Sequence, residues 1–110
     1  MDDTKTMLTE LTTAMTRPTL AYMTGEDDSA IIGQWIAGSS VPEEAQARIR
    51  MAYRTLTFIG IQNSEVVERF LETRLRHVPE SPKVIDFIRT SAGVDKDRAI
   101  IIDEAMRFSG

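Results

Sequence analysis

Hydrophobic residues recur every three or four positions along most of this chain, a spacing typical of amphipathic helices. The pattern is clearest between Pro42 and Pro79, and it restarts at Asn63-Ser64, a pair suited to capping a helix. We therefore predict two charged amphipathic helices, one from Pro42 to about Gln62 and one from Ser64 to the residue before Pro79. Their apolar positions are Ala45, Ile49, Ala52, Tyr53, Leu56 and Ile59 in the first and Val67, Phe70, Leu71 and Leu75 in the second.

Two further helices are predicted before Pro42. The dipeptide Arg17-Pro18 is expected to end or kink the first of them, because a residue that precedes proline disfavours helical geometry. The second is the segment AIIGQWIAG, which follows a break at Gly25 and is expected to stop at Gly38. Residues 1–6 are expected to fray. The apolar face of the first helix carries Met7, Leu8, Leu11, Ala14 and Met15.

The last third of the chain predicts two more helices. One begins at Ser81-Pro82 and ends at Gly93, and the other is capped by Asp95 or Asp97. The segments 56–61 and 99–103 are rich in isoleucine, which also favours strands. We prefer helix for both because no partner strand is evident. The whole pattern predicts an all-α fold of four to six helices in a single domain over residues 1–110.

Composition adds constraints on association and location. Aromatic residues make up only 6% of the 110 residues, so the core must be mainly aliphatic. Small helical domains with a modest core often gain stability by association, and we therefore predict a homodimer. The chain has no cysteine, which fits a reducing compartment, and its N-terminus lacks the basic and apolar regions of a secretion signal. We expect a cytoplasmic protein with no membrane-spanning helix.

The charge is unevenly distributed. The net charge of −4 comes from residues 1–40, which hold two basic and six acidic residues, whereas residues 41–110 hold eleven of each sign. Proteins that wrap nucleic acid need a positive surface. The distribution therefore argues against nucleic acid as the principal partner.

The residues that usually carry chemistry are scarce. His77 is the one histidine, and a catalytic histidine needs an orienting carboxylate and a nucleophile or substrate cleft. Ser64 and Ser81 are better explained as helix caps. The run 26–28 is acidic but lacks the ligand spacing of a calcium loop. We predict no enzymatic activity, no cofactor and no metal site.

A helix-turn-helix over about residues 84–106 is an alternative. Apolar residues and a turn glycine fall roughly where that motif places them, at Ile88, Ala92, Gly93, Val94 and Ile102. Arg89 stands where the two helices should touch, and Asp95 and Asp97 at the start of the second helix would face phosphates. A DNA-binding regulator therefore stays open as a second hypothesis.

Protein binding is the function class that these observations leave. Trp35 is the most informative candidate, since tryptophan is enriched at binding hot spots and Gly33 and Gly38 allow another backbone to approach. Core and interface roles both stay open for it. The large side chains of the two most apolar helical segments are the predicted partner contacts: Ile32, Trp35, Ile36, Tyr53, Phe58 and Ile61.

Two segments carry a resemblance to a known family. AIIGQWIAG and AQARIRMAYRTLTFIGIQNSEVVERFLETRLRHV, together with the small size and acidity of the chain, resemble the QslA-like quorum-sensing antiactivators. The resemblance implies a helical dimer that binds the ligand-binding domain of a LuxR-type transcriptional regulator such as LasR. Binding would cover the surface that the receptor uses to dimerise and so prevent it from holding DNA. An antitoxin or a phage-type inhibitor would share this mechanism and differ in its target.

Overall fold

The computed structural model describes residues 4–109, and this part of the chain contains seven helices and no strand. The predicted all-α class is confirmed, but the predicted count of four to six helices is wrong. Residues 1–3, part of the segment expected to fray, lie outside the described range, whereas Thr4 already belongs to the first helix. The helices are α1 Thr4–Ala14, α2 Arg17–Thr24, α3 Ala30–Ile36, α4 Glu43–Ile59, α5 Ser64–Glu72, α6 Val84–Thr90 and α7 Asp95–Ser109.

The helix that the sequence pattern did not predict is α2. It begins at Arg17-Pro18, the dipeptide that was expected only to end or kink α1. The hydroxyl oxygen of Thr16 accepts a hydrogen bond from the backbone N–H of Thr19, and Pro18 lies in the first turn. Proline is favoured there because the first turn has no intrahelical partner for its N–H groups. The same residues that end α1 therefore start a new helix.

One apolar core joins the seven helices, and α4 lies at its centre. This helix packs against α1, α2 and α7 most extensively, and also against α5 and α6. Its buried positions include Ile49, Ala52 and Leu56, all fully or almost fully covered. Residues 99–103 lie within α7, as predicted. In the segment 56–61 the helix continues only to Ile59, short of the predicted end near Gln62, because Gly60 ends α4 in a left-handed conformation.

Helix α5 is shorter than predicted. It ends at Glu72, and a loop over residues 73–83 follows in which Leu75 is buried. The backbone N–H of Leu75 donates to the carbonyl oxygen of Pro82 at 2.9 Å, and Lys83 pairs with Glu72 at 2.6 Å. Because these contacts fold the loop back on itself, His77 lies exposed in the loop and not at a helix end.

The turn between α6 and α7 lies directly against α4. Gly93 has a φ of +74°, and a Cβ atom built on it would lie 2.5 Å from the Cβ of Ala47. Only glycine fits this backbone conformation and this spacing without displacement. The contact therefore fixes where the chain enters α7 relative to α4.

We predict that Gly93→Ala lowers the free energy of unfolding by about 2–3 kcal/mol, because it combines a left-handed backbone with overpacking. Urea denaturation measures the loss. Gly38→Ala is the matched control, since Gly38 has a φ of +120° and no atom within 4 Å of an added Cβ. In an Ala47→Gly background the loss from Gly93→Ala should be smaller. An equal loss in both backgrounds would contradict the steric argument.

Candidate functional site

The six predicted partner contacts fall into different environments. Ile32 is fully buried and Trp35 is 3% exposed, because α3 packs these side chains against α1 and α2. They belong to the core of the folded chain and are not available to a docking partner, which corrects their assignment as contacts. Ile36 and Ile61 are half-buried. Phe58 is the exposed member of the set, at 54%.

Tyr53 is half-buried and has a partner within the chain. Its hydroxyl donates to Oε2 of Glu10 at 2.7 Å, which links α4 to α1. This hydrogen bond to a carboxylate is the main reason that the pKa of Tyr53 is raised above its ordinary value. The structure therefore gives Tyr53 a role in packing.

Large exposed hydrophobic side chains concentrate around one pair of helices. Among residues 4–109 they are Tyr22, Phe58, Val94 and Met106. The side chain of Tyr22 already has partners within the chain. The Arg89 guanidinium lies 4.3 Å from the centre of its ring, and its hydroxyl donates a hydrogen bond to Asp86. The other three lie near the end of α4, at the entry to α7 and near the end of α7.

A cleft of about 320 Å³ lies between these two helices. Gly93 lies against Ala47 at one end, and residues 51–55 face residues 95–102 further along. The two helices therefore run in the same direction, and Phe58 and Met106 lie about one turn beyond the cleft at the same end. We call this surface the α4–α7 cleft. It is lined by Met51, Arg54, Thr55, Asp95, Arg98, Ala99 and Ile102.

The charged groups at the α4–α7 cleft leave an excess of positive charge. Asp95 is paired with Arg98 on the same helix. Arg54 lines the cleft and Arg50 lies one turn earlier on the same exposed side of α4. Within residues 4–109 neither of these two arginines has a carboxylate partner. The rim is therefore cationic and the floor is largely apolar.

The acidic run at residues 26–28 takes part in local structure. Oδ1 of Asp28 accepts a hydrogen bond from the backbone N–H of Ala30 at 2.9 Å, at the start of α3. Asp27 pairs with Arg89 at 3.0 Å. In the described part of the chain, no three histidine, cysteine or carboxylate side chains are grouped closely enough to hold a metal ion.

His77 lines a second cleft, between the 73–83 loop and α7. Arg76, Glu104 and Arg107 share this cleft, and Arg107 is paired with Asp103 at 2.7 Å. The side chains of Arg76 and His77 are both exposed. An open cleft lined by side chains of both charges does not indicate any particular reaction.

The packing of α6 and α7 differs from that of a helix-turn-helix, in which the two helices pack against each other. Helix α6 packs chiefly against α2, and α7 chiefly against α4. Arg89 points away from α7, because Nη1 donates to the carbonyl oxygen of Tyr22 at 2.6 Å and Nη2 pairs with Asp27. This geometry does not favour the DNA-binding alternative.

No helix within residues 4–109 is long and apolar enough to cross a membrane. No protein-family model, no curated protein and no solved structure matches this chain. The resemblance to the QslA-like antiactivators therefore stays a prediction.

The sequence alone did not single out Met106 as an exposed residue of α7. Ile101 and Ala105 are both fully buried and lie on one line along α7. At 100° per residue, Met106 lies well off that line. The helical period is therefore the signal that could have identified Met106 as exposed.

We predict that Trp35→Ala lowers the free energy of unfolding by about 3–5 kcal/mol, because it removes a buried aromatic side chain and leaves a cavity. Chemical denaturation followed by circular dichroism measures this loss. Phe58→Ala is the matched control, since it truncates an exposed aromatic side chain and should cost less than about 0.5 kcal/mol. Equal losses at the two positions would contradict the placement of Trp35 in the core.

The two tyrosines give a pH-dependent prediction. Hydrogen bonds to Asp86 and Glu10 are the leading causes of the raised pKa values of Tyr22 and Tyr53, respectively. Because ionisation breaks these bonds, their stabilising contribution is present below pH 10.0, the ordinary value, and is lost as pH rises through the folded-state pKa.

Ultraviolet absorbance titration measures these values. In a Tyr22→Phe background only Tyr53 titrates, with a midpoint above the ordinary value, and Glu10→Gln should lower that midpoint. A midpoint that does not respond to Glu10→Gln would show that this hydrogen bond is not formed in solution.

Proposed function

We propose that this chain is a non-enzymatic, cytoplasmic regulator that binds another protein through the α4–α7 cleft. The observation that supports the proposal most directly is the exposure of Phe58 and Met106, at 54% and 51%, beyond one end of the cleft, with Val94 exposed at 50% at the entry to α7. Large exposed apolar side chains beside a cleft are typical of interaction sites. An exposed phenylalanine beside an apolar cleft is a typical anchor for a partner.

The length of the apolar surface along α4 suits a short partner helix. From Met51 to Phe58 the surface follows α4 for about two turns, or roughly 11 Å at 1.5 Å per residue. A partner helix that lies in this groove would contact it through apolar residues spaced at i, i+3 or i+4, and i+7. Helix-in-groove docking is therefore the proposed mode of binding.

The proposed partner is the ligand-binding domain of a LuxR-type regulator, and the resemblance to the QslA-like antiactivators supports this choice. Binding would occupy the surface on which the receptor dimerises. Because only the receptor monomer would be bound, mass action would shift the receptor away from its DNA-binding dimer. The proposal includes the homodimer that the sequence predicts, formed away from the α4–α7 cleft.

The test is the affinity of purified Phe58→Ala and Met106→Ala variants for a LuxR-type ligand-binding domain, measured by calorimetry. We expect each variant to weaken binding by about 10- to 100-fold, the range of an anchor residue. Glu68→Ala, an exposed change on α5, is the control and should bind as the native chain does. Circular dichroism and sedimentation should show an unchanged fold and an unchanged oligomeric state.

Two outcomes would count against this proposal. Failure of the native chain to bind the receptor domain would remove the LuxR-type assignment. Equal binding by the native chain and both variants would show that the partner docks somewhere other than the α4–α7 cleft.

A further inference from the structure

We infer that the element bound in the α4–α7 cleft is an amphipathic helix whose apolar stripe is flanked by carboxylate side chains. This inference rests on the proposed function, because it names the chemistry of the partner at the same site. It comes from the charges at the rim of the cleft and from their spacing along α4.

Two cations without a counter-ion lie on the α4 side of the cleft, Arg54 in its lining and Arg50 one turn earlier on the helix. Arg50 and Arg54 are both exposed, and neither forms an ion pair within residues 4–109. The other basic residue that lines the cleft is paired, since Arg98 binds Asp95. Two like charges four residues apart on a helix repel each other. Binding of carboxylates would relieve that repulsion.

The spacing of the two arginines matches a helical partner. Four residues correspond to a rise of about 6 Å along α4. Carboxylates at i and i+4 of a helix aligned with α4 would have the same spacing. The planar guanidinium group also binds a carboxylate through two parallel hydrogen bonds, which favours an ordered pairing over a diffuse attraction.

A second copy of this chain fits the site less well. Helix α5 has exposed carboxylates at Glu65, Glu68 and Glu72. Its large apolar residues Phe70 and Leu71 are buried in the chain's own core. A second copy would therefore offer the charges of α5 without the apolar stripe that the cleft floor requires.

Extended anionic surfaces also fit less well. Nucleic acid or an anionic bilayer would meet Asp95 on α7 together with the arginines of α4, and the whole chain has a net charge of −4. A narrow cationic rim beside an apolar floor suits a single helix with a defined acidic edge.

The probes are three synthetic helical peptides with the same apolar stripe of leucine and phenylalanine, flanked at i and i+4 by glutamate, glutamine or lysine. Fluorescence anisotropy of labelled peptides measures their affinity for the full chain at low and at high salt. We expect the glutamate peptide to bind roughly 10-fold more tightly than the glutamine peptide, the lysine peptide to bind most weakly, and the differences to shrink at high salt.

Charge reversal provides the decisive comparison. The double variant Arg50→Glu, Arg54→Glu should reverse the order and prefer the lysine peptide. Arg69→Glu is the matched control, since Arg69 is an exposed arginine on α5 without an ion pair in the described part of the chain, and the native order should persist.

The outcomes separate this inference from the proposed function. If Phe58→Ala weakens all three peptides and their affinities are equal, the docking surface stands and the acidic-helix inference is overturned. If charge orders the peptides but Phe58→Ala has no effect, the proposed surface itself is wrong. Absence of binding by every peptide overturns the inference. Self-association that depends on Arg50 and Arg54, with equal binding of the three peptides, also overturns the inference. Binding to phosphatidylserine vesicles with the same dependence on Arg50 and Arg54 overturns it as well.

Discussion

The side chain of Arg48 makes the interaction on which the arrangement of the helices depends. Its Nε donates to the carbonyl oxygen of Ser91 and its Nη1 to that of Thr24, both at 2.9 Å. These carbonyls lie at the ends of α6 and α2, where the helix leaves them without an internal partner. A Cβ atom on Gly25 would lie 2.5 Å from Nη1, so the glycine that ends α2 also makes room for the guanidinium. One arginine on α4 thereby holds the ends of two other helices.

The start of α7 follows from this arrangement. The Ser91 hydroxyl accepts a hydrogen bond from the backbone N–H of Gly93 at 2.9 Å and donates to Oδ2 of Asp97 at 2.6 Å. Gly93 in turn lies against Ala47, one residue before Arg48. Because these contacts position the start of α7 beside the N-terminal part of α4, they also set the alignment of the two helices that form the α4–α7 cleft. The candidate binding surface is thus a consequence of how the core is held together.

The apolar side chains around this cleft result from incomplete coverage of two central helices. Helix α7 packs chiefly against α4, and the edge-to-face contact of Phe108 with Phe70, with ring centres 5.4 Å apart, attaches its end to α5. Along the opposite edge no other helix within residues 4–109 covers Phe58 and Met106, which remain about half exposed. The proposed regulator would use this uncovered edge for binding, with the arginines of α4 selecting the charge of the partner.

The sequence by itself determined which residues form most of the helices and which of them share a face, because helical spacing depends only on neighbours along the chain. It therefore predicted the all-α class and the start of α5 at Asn63-Ser64. Only the tertiary structure decided that Trp35 lies in the core and Phe58 outside it, since both residues occupy apolar faces and the covering helices come from distant parts of the chain. The burial of Leu75 in the loop after α5 was likewise decided by backbone pairing with Pro82. A periodic pattern identifies a face, but contacts between distant segments determine whether that face is covered.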